Sequence, residues 1–143
     1  KGYSPAVPDD FEATALLAAG LKEIEPLAHP LYRQNDKLER WHLERLILLF
    51  KGFECLNGAH SPLHREAFEP VLERLSPETI KRLSDTHGLA PRWPEPWVKA
   101  RTGGSDDHGL LNIGRTWTEF PAEVSSGATA VADWMRPNAS ITW

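Results

Sequence analysis

Two short apolar runs, residues 25–27 and 53–56, flank the clearest helical stretch of the chain, residues 37–50. Strand, helix and strand in that order imply a parallel pair, because a parallel connection must cross over the sheet and its helix then covers one face. The first run passes into Ala28-His29-Pro30, where Pro30 pushes His29 toward extended geometry and ends the strand. Asp36 can offer its carboxylate to the first amides of the helix, with Glu39 three residues on as in a capping box. Leu38, Trp41, Arg45/Leu46 and Leu49/Phe50 recur at helical spacing, and Gly52 closes the run. The second strand stops at Asn57-Gly58.

Further punctuation follows the same logic. Ser61-Pro62 and Ser76-Pro77 each join a capping hydroxyl to a proline at the first helical position, so two more helices start there. Pro70 is expected to kink or end the first, and the second should run to His87 and stop at Gly88. Pro91-Arg-Trp-Pro-Glu-Pro96 is a stiff linker whose Trp93, with Trp97 just beyond it, should pack down on the surface. Residues 98–102 lead into Gly103-Gly104, and residues 113–118 read as a second extended stretch with Ile113, Arg115 and Trp117 on one side. Residues 11–19 and 128–135 read as helices, residues 1–10 as an irregular lead-in and residues 136–143 as an irregular tail. A chain of 143 residues suits one domain, here taken as 1–143, and can bury about two-thirds of its unfolded surface.

Charge and cysteine usage remove several function classes. With 16 basic and 20 acidic side chains the net charge is −4, which gives no reason to expect nucleic acid or an anionic membrane as partner. The single cysteine, Cys55, excludes an internal disulfide and a multi-cysteine zinc site, and fits a reducing, cytoplasmic setting. The longest apolar run, residues 46–50, is too short to span a bilayer, and no basic-then-apolar leader opens the chain. The first residue is Lys1 rather than Met, as expected of a segment excised from a longer protein.

Three places can carry chemistry. Asp106-x-His108 follows two glycines, and in extended backbone residues two apart face one side, so both side chains can reach a single ion. Carboxylate with imidazole suits Zn, Mn or Fe, although an aspartate turning on its own backbone explains the same spacing. His29 stands at a strand end, where side chains of a parallel sheet gather at a mouth, or is a satisfied core histidine. Glu54 lies inside an apolar strand, so it must meet a metal, a hydrogen-bond donor or a cation such as Arg115. His60 and His64, with Pro62 between them, read as a solvated face; His87 suits a helix dipole, and His42 a polar helix side. No catalytic serine motif or phosphate-cradling glycine loop is visible, and Cys55 reads as a small buried hydrophobe.

Leu27-Ala-His-Pro30, Gly52-Phe-Glu-Cys-Leu-Asn-Gly58, Thr102-Gly-Gly-Ser-Asp-Asp-His108 and Ile113-Gly-Arg-Thr-Trp-Thr118 occur in a familiar order. They resemble the later motifs of the PHP family, named for polymerase and histidinol phosphatase: an "AHP" strand end, a "GxEVxNG"-like strand and a "GGSDxH" loop followed by "IGRTxT". Residues 31–50 look closer still to bacterial PHP-like proteins encoded with glycosyltransferases. The resemblance covers residues 24–120 and implies an α/β fold, the C-terminal portion of a distorted (β/α)7 barrel with short parallel strands and covering helices. It also implies metal-dependent hydrolysis of phosphate esters, with a divalent metal (Zn, Mn or Fe) at the carboxyl ends of the strands. His29, Asp106 and His108 match metal ligands of the family, Asp106 and His108 being catalytic. Glu54 matches an acidic position at the site edge, and Arg115 and Thr116 match positions that brace the metal loop.

The family's early His-x-His, Asp-His pair and glutamate ligand have no counterpart here, since no histidine precedes His29. The expectation is therefore the C-terminal part of a phosphoesterase acting on a phosphorylated small molecule, inactive until the other ligands are supplied. The alternative is a non-catalytic binding or assembly module that keeps the motifs as structure; five of the six tryptophans follow residue 90 and can cover an interface. A half-barrel leaves strand edges unpaired, so a homodimer or contact with a missing N-terminal segment is expected.

Overall fold

The structure is a computed structural model, and it describes residues 26–32, 38–119 and 141–142. Three parallel strands form the sheet, in the order β1 (Pro26–Leu27), β2 (Gly52–Asn57), β3 (Ala100–Gly104). Helix α1 (Arg40–Leu49) makes the first crossover, while α2 (Pro62–Glu73) and α3 (Pro77–His87) make the second. A small antiparallel pair, β4 (Trp117–Thr118) with β5 (Ile141–Thr142), follows. The protein is thus mixed α/β, and the strand–helix–strand order produces the parallel pairing it implied.

Alternation along β2 sets the core. Phe53 and Cys55 face Ile47 and Leu48 of α1, Phe68 and Leu72 of α2, and Ile80 and Leu83 of α3. Phe53 is wholly buried, with Phe68 edge-on to it at a 5.4 Å ring separation. Burial of a phenyl ring of this kind contributes about 1.5–3 kcal/mol. Trp97 packs against the same core, as the linker's composition suggested.

The carbonyls of Ile47, Leu48 and Leu49 and of the cap residue Phe50 lack intrahelical partners, and the segment before β3 supplies a donor to each. Lys99 Nζ donates to Ile47 O at 2.6 Å and to Phe50 O at 2.7 Å. The Arg92 amide donates to Leu48 O, and Trp93 Nε1 to Leu49 O at 3.0 Å. Burial, with the charge of Lys51 adding to it, pushes the Lys99 ammonium down to about 7. Helices α1 and α3 are tied by His87 Nε2 and Glu44 Oε2, 2.7 Å apart. Burial alone would raise the Glu44 carboxyl, but its hydrogen bonds to His87 and Arg40 outweigh that and hold it below its ordinary value.

Helix starts agree with the sequence at two places and depart at one. Ser61 and Ser76 accept from the Leu63 and Thr79 amides, each ahead of a proline at the start of its helix, and Gly88 takes the left-handed conformation that ends α3. Helix α1 begins later than residue 37: Glu39 is its cap, its amide donating to His42 Nδ1 at 3.1 Å, while Asp36 lies outside the described residues.

Of a kink or an end at Pro70, the end is not found: Pro70 lies within α2, which continues to Glu73. Its cost of about 3 kcal/mol falls in the last turn and is offset by Phe68 and Leu72, both buried, on either side of it. Extended backbone over residues 113–118 shrinks to β4, because residues 108–116 bend and turn. The pairing of β5 lies in what read as an irregular tail, since its partner strand is too distant in sequence for any local pattern to announce it. The helices expected over residues 11–19 and 128–135, and the lead-in 1–10, lie outside the described residues.

Candidate functional site

Parallel strands collect their carboxyl ends on one edge, and the segments leaving that edge meet here. The register of β2 against β3 is irregular between Glu54 and Leu56, a bulge of the kind that re-aims side chains beside a site. Glu54 projects from the face opposite Phe53 and receives the His29 amide on Oε2 at 2.8 Å. Asn57, at the end of β2, donates Nδ2 to the same Glu54 oxygen at 3.0 Å and to Asp106 Oδ2 at 3.2 Å. Its own Oδ1 accepts from the Ala59 amide at 2.9 Å, which fixes the amide's orientation. One side-chain amide therefore holds two carboxylates together and links β2 to the loop after β3.

His60 completes the cluster. Its Nε2 lies 3.4 Å from Asp106 Oδ2, and its ring is 4.7 Å from Tyr32, 5.8 Å from His29 and 5.6 Å from His64. A cavity of about 20 Å³ opens among His29, Glu54, Asn57, His60, His64 and Phe68, space for about one water. His60 and His64 are half-buried here rather than on a solvated face. Cys55 also lines the cavity, but burial pushes its thiol up to about 12, which makes it a poor nucleophile.

The backbone beneath the cluster is set by close approach. A Cβ on Gly104 would meet Glu54 Oε1 at 2.9 Å, and one on Gly58 would meet Thr116 Oγ1 at 2.9 Å and Ser105 O at 3.0 Å. The Gly58 amide donates to Gly104 O, and Thr116 Oγ1 donates to the same carbonyl. Thr118 Oγ1 serves both polar groups of Gly103, accepting from its amide at 2.8 Å and donating to its carbonyl at 3.0 Å. These two threonines brace the turn after β3. Arg115 is exposed on the turn, and Glu54 is satisfied by His29 and Asn57 rather than by an ion pair with Arg115.

His29 and Asp106 are not in extended backbone, with φ of 31° and 48°. At His29 the chain turns back at once, the Tyr32 amide donating to His29 O at 2.9 Å, so the effect of Pro30 on its predecessor is overridden. At Asp106 the backbone is left-handed rather than extended, yet His108 Nδ1 still lies 3.7 Å from Asp106 Oδ1. The His108 side chain is 88% exposed, its Nδ1 2.9 Å from Asp106 O. Asp107 organises the loop instead: the Gly109 and Asn112 amides, at 3.0 Å each, hold its carboxyl below the usual range.

Sequence reading thus found His29, Glu54 and Asp106, which the structure brings together, and missed Asn57, His60 and Tyr32. Imidazole and carboxylate donors suit a borderline divalent metal. Among the described residues, however, no group of three or more His, Cys, Asp or Glu side chains is placed to hold one. Asn57 occupies one oxygen of each carboxylate, so the described residues supply a partial donor set.

In comparisons with protein-family models, curated proteins and solved structures, nothing matches this chain. Among the described residues, no helix is long and apolar enough to cross a membrane.

Proposed function

We propose that the chain is the C-terminal part of a PHP-like metal-dependent phosphoesterase, its sheet one portion of a distorted barrel. The observation that carries this reading is the gathering of His29, Glu54, His60 and Asp106 at the carboxyl ends of parallel strands in sequential order. Under this reading His29, Asp106 and His108 contribute ligands to Zn, Mn or Fe, and further ligands come from outside the described residues. Metals in such sites activate water and clamp phosphate oxygens. The chain's own residues position the site: Glu54 fixes the His29 backbone, Asn57 sets Asp106, and Thr116 holds the turn that Arg115 flanks. The substrate is a phosphorylated small molecule and the setting cytoplasmic. The missing part of the barrel, or a second copy, lies against this one.

Metal content of the purified chain after exposure to Mn²⁺ and Zn²⁺, measured beside an Asp106→Ala/His108→Ala double variant, tests the assignment. The expected result is bound metal that falls about tenfold or more in the variant. Equal metal in both proteins, or none in either, overturns it. A second reading, a non-catalytic binding or assembly module, draws on the Asn57 amide holding both carboxylates where a cation would otherwise sit. Loss of stability without any change in metal content in an Asn57→Leu variant would favour that reading.

A further inference from the structure

A larger cavity, of about 520 Å³, opens between the three helices and shares no residue with the one at the strand ends. Small-molecule sites commonly enclose about 300–1,000 Å³, so this volume admits an organic ligand where the other admits about one water. Its apolar lining comes from Leu43 and Ile47 of α1, Val71 of α2, Leu75 of the connection and Leu83 of α3. Ile47 and Leu83 belong to the buried core and Leu43 and Leu75 pack against it, whereas Val71 is 40% exposed. The core itself thus floors the cavity, and one apolar wall is left facing solvent.

Charge on this lining is opposite in sign to that of the chain. Three arginines, Arg40, Arg74 and Arg82, line it with one carboxylate, Glu44, in a protein whose net charge is −4. That carboxylate is already taken on both oxygens: Arg40 Nε donates to Oε1 at 2.7 Å, and His87 Nε2 lies 2.7 Å from Oε2. On α3, Asp85 is held by Lys81 at 2.7 Å. Among the described residues, Arg74 and Arg82 are therefore left outside any ion pair. They come from different elements, the cap of α2 and the body of α3, and the fold brings both to one cavity. A guanidinium fork matches the two oxygens of a carboxylate with two parallel N–H bonds.

From these arginines over an apolar floor we infer that the interhelical cavity binds an organic carboxylate with a hydrocarbon body, its carboxylate on Arg74 and Arg82 and its chain along Leu43, Val71 and Leu75. A neutral hydrocarbon would leave two guanidinium groups unused, and a short polar anion would leave the apolar wall wet. The site stands apart from the phosphoesterase reading, and either can fail without the other.

Titration of the full chain with octanoate, acetate, 1-octanol and octylammonium, each below its aggregation concentration, tests it by calorimetry and amide NMR shifts. Octanoate is expected to bind about tenfold or more tightly than acetate, because more methylenes leave water. The same margin is expected over 1-octanol, which lacks the charge, and over octylammonium, which the arginines repel. Amide shifts should gather at Leu43, Val71 and Leu75. An Arg74→Gln/Arg82→Gln variant should lose about tenfold or more in octanoate affinity with its urea midpoint unchanged. Octanoate that binds no better than acetate or 1-octanol, shifts amides elsewhere, survives the double substitution or does not bind at all overturns the inference. A glutamate-rich amphipathic peptide that shifts the same amides while octanoate does not overturns it in favour of a protein partner.

Discussion

Phe53 and Asn57 stand four residues apart on one strand, yet they are held by opposite means. Around Phe53 the contacts are apolar and undirected, contributed by all three helices. Around Asn57 nothing is fully dry: an amide, two carboxylates and an imidazole meet at hydrogen-bond distances, over glycines that admit no Cβ. The first region depends on volume, whereas the second depends on direction and backbone placement. Stability should therefore be concentrated at one end of β2, and sensitivity of the site to small displacements at the other.

Substitutions can break or sharpen that contrast. Phe53→Ala, in the dry region, should cost about 3–5 kcal/mol in urea unfolding; a loss below about 1 kcal/mol would mean that the core does not carry the fold. Lys99 tests the end of α1. Its value of about 7 in the fold lies below the ordinary 10.5, so between these limits the unfolded chain binds the extra proton and stability rises with pH. Unfolding free energy should climb by up to about 1.4 kcal/mol per pH unit across that window, and Lys99→Met should flatten the climb. An unchanged slope in the variant would assign it to other groups.

Gly58→Ala brings a methyl against Thr116 and the Ser105 backbone, and about 1–3 kcal/mol should be lost. Histidine resonances of His60 should move with it, and a silent spectrum would mean that the turn after β3 adapts freely. Leu111→Ser, on the exposed loop after β3, should change stability by no more than about 0.5 kcal/mol. A larger loss would show that this loop is already packed against protein.

Legibility in the sequence divides along the same line. Apolar periodicity, Ser-Pro starts and Gly88 reported the helix-covered side well, because those signals are local. Pro70 does not end its helix, because its penalty is local while Phe68 and Leu72 act through the tertiary core. At the site, Glu54 was legible as a charge that needed donors, but Asn57 and His60 were not. Their importance lies in bonds to Asp106, 49 residues from Asn57, which no spacing encodes. The left-handed residues His29 and Asp106 are each also held by a distant partner, Glu54 on the His29 amide and Asn57 on the Asp106 carboxylate.

Thr116 and Thr118 have a consequence for assembly. The Thr118 hydroxyl occupies both polar groups of Gly103, which a strand pairing with that end of β3 on the side away from β2 would need, while Thr116 braces the Gly104 carbonyl that already accepts from Gly58. Among the described residues, a new strand extending the sheet past β3 would have to displace that hydroxyl before it could pair at Gly103, which penalises accidental pairing at the end of β3 nearest the cluster.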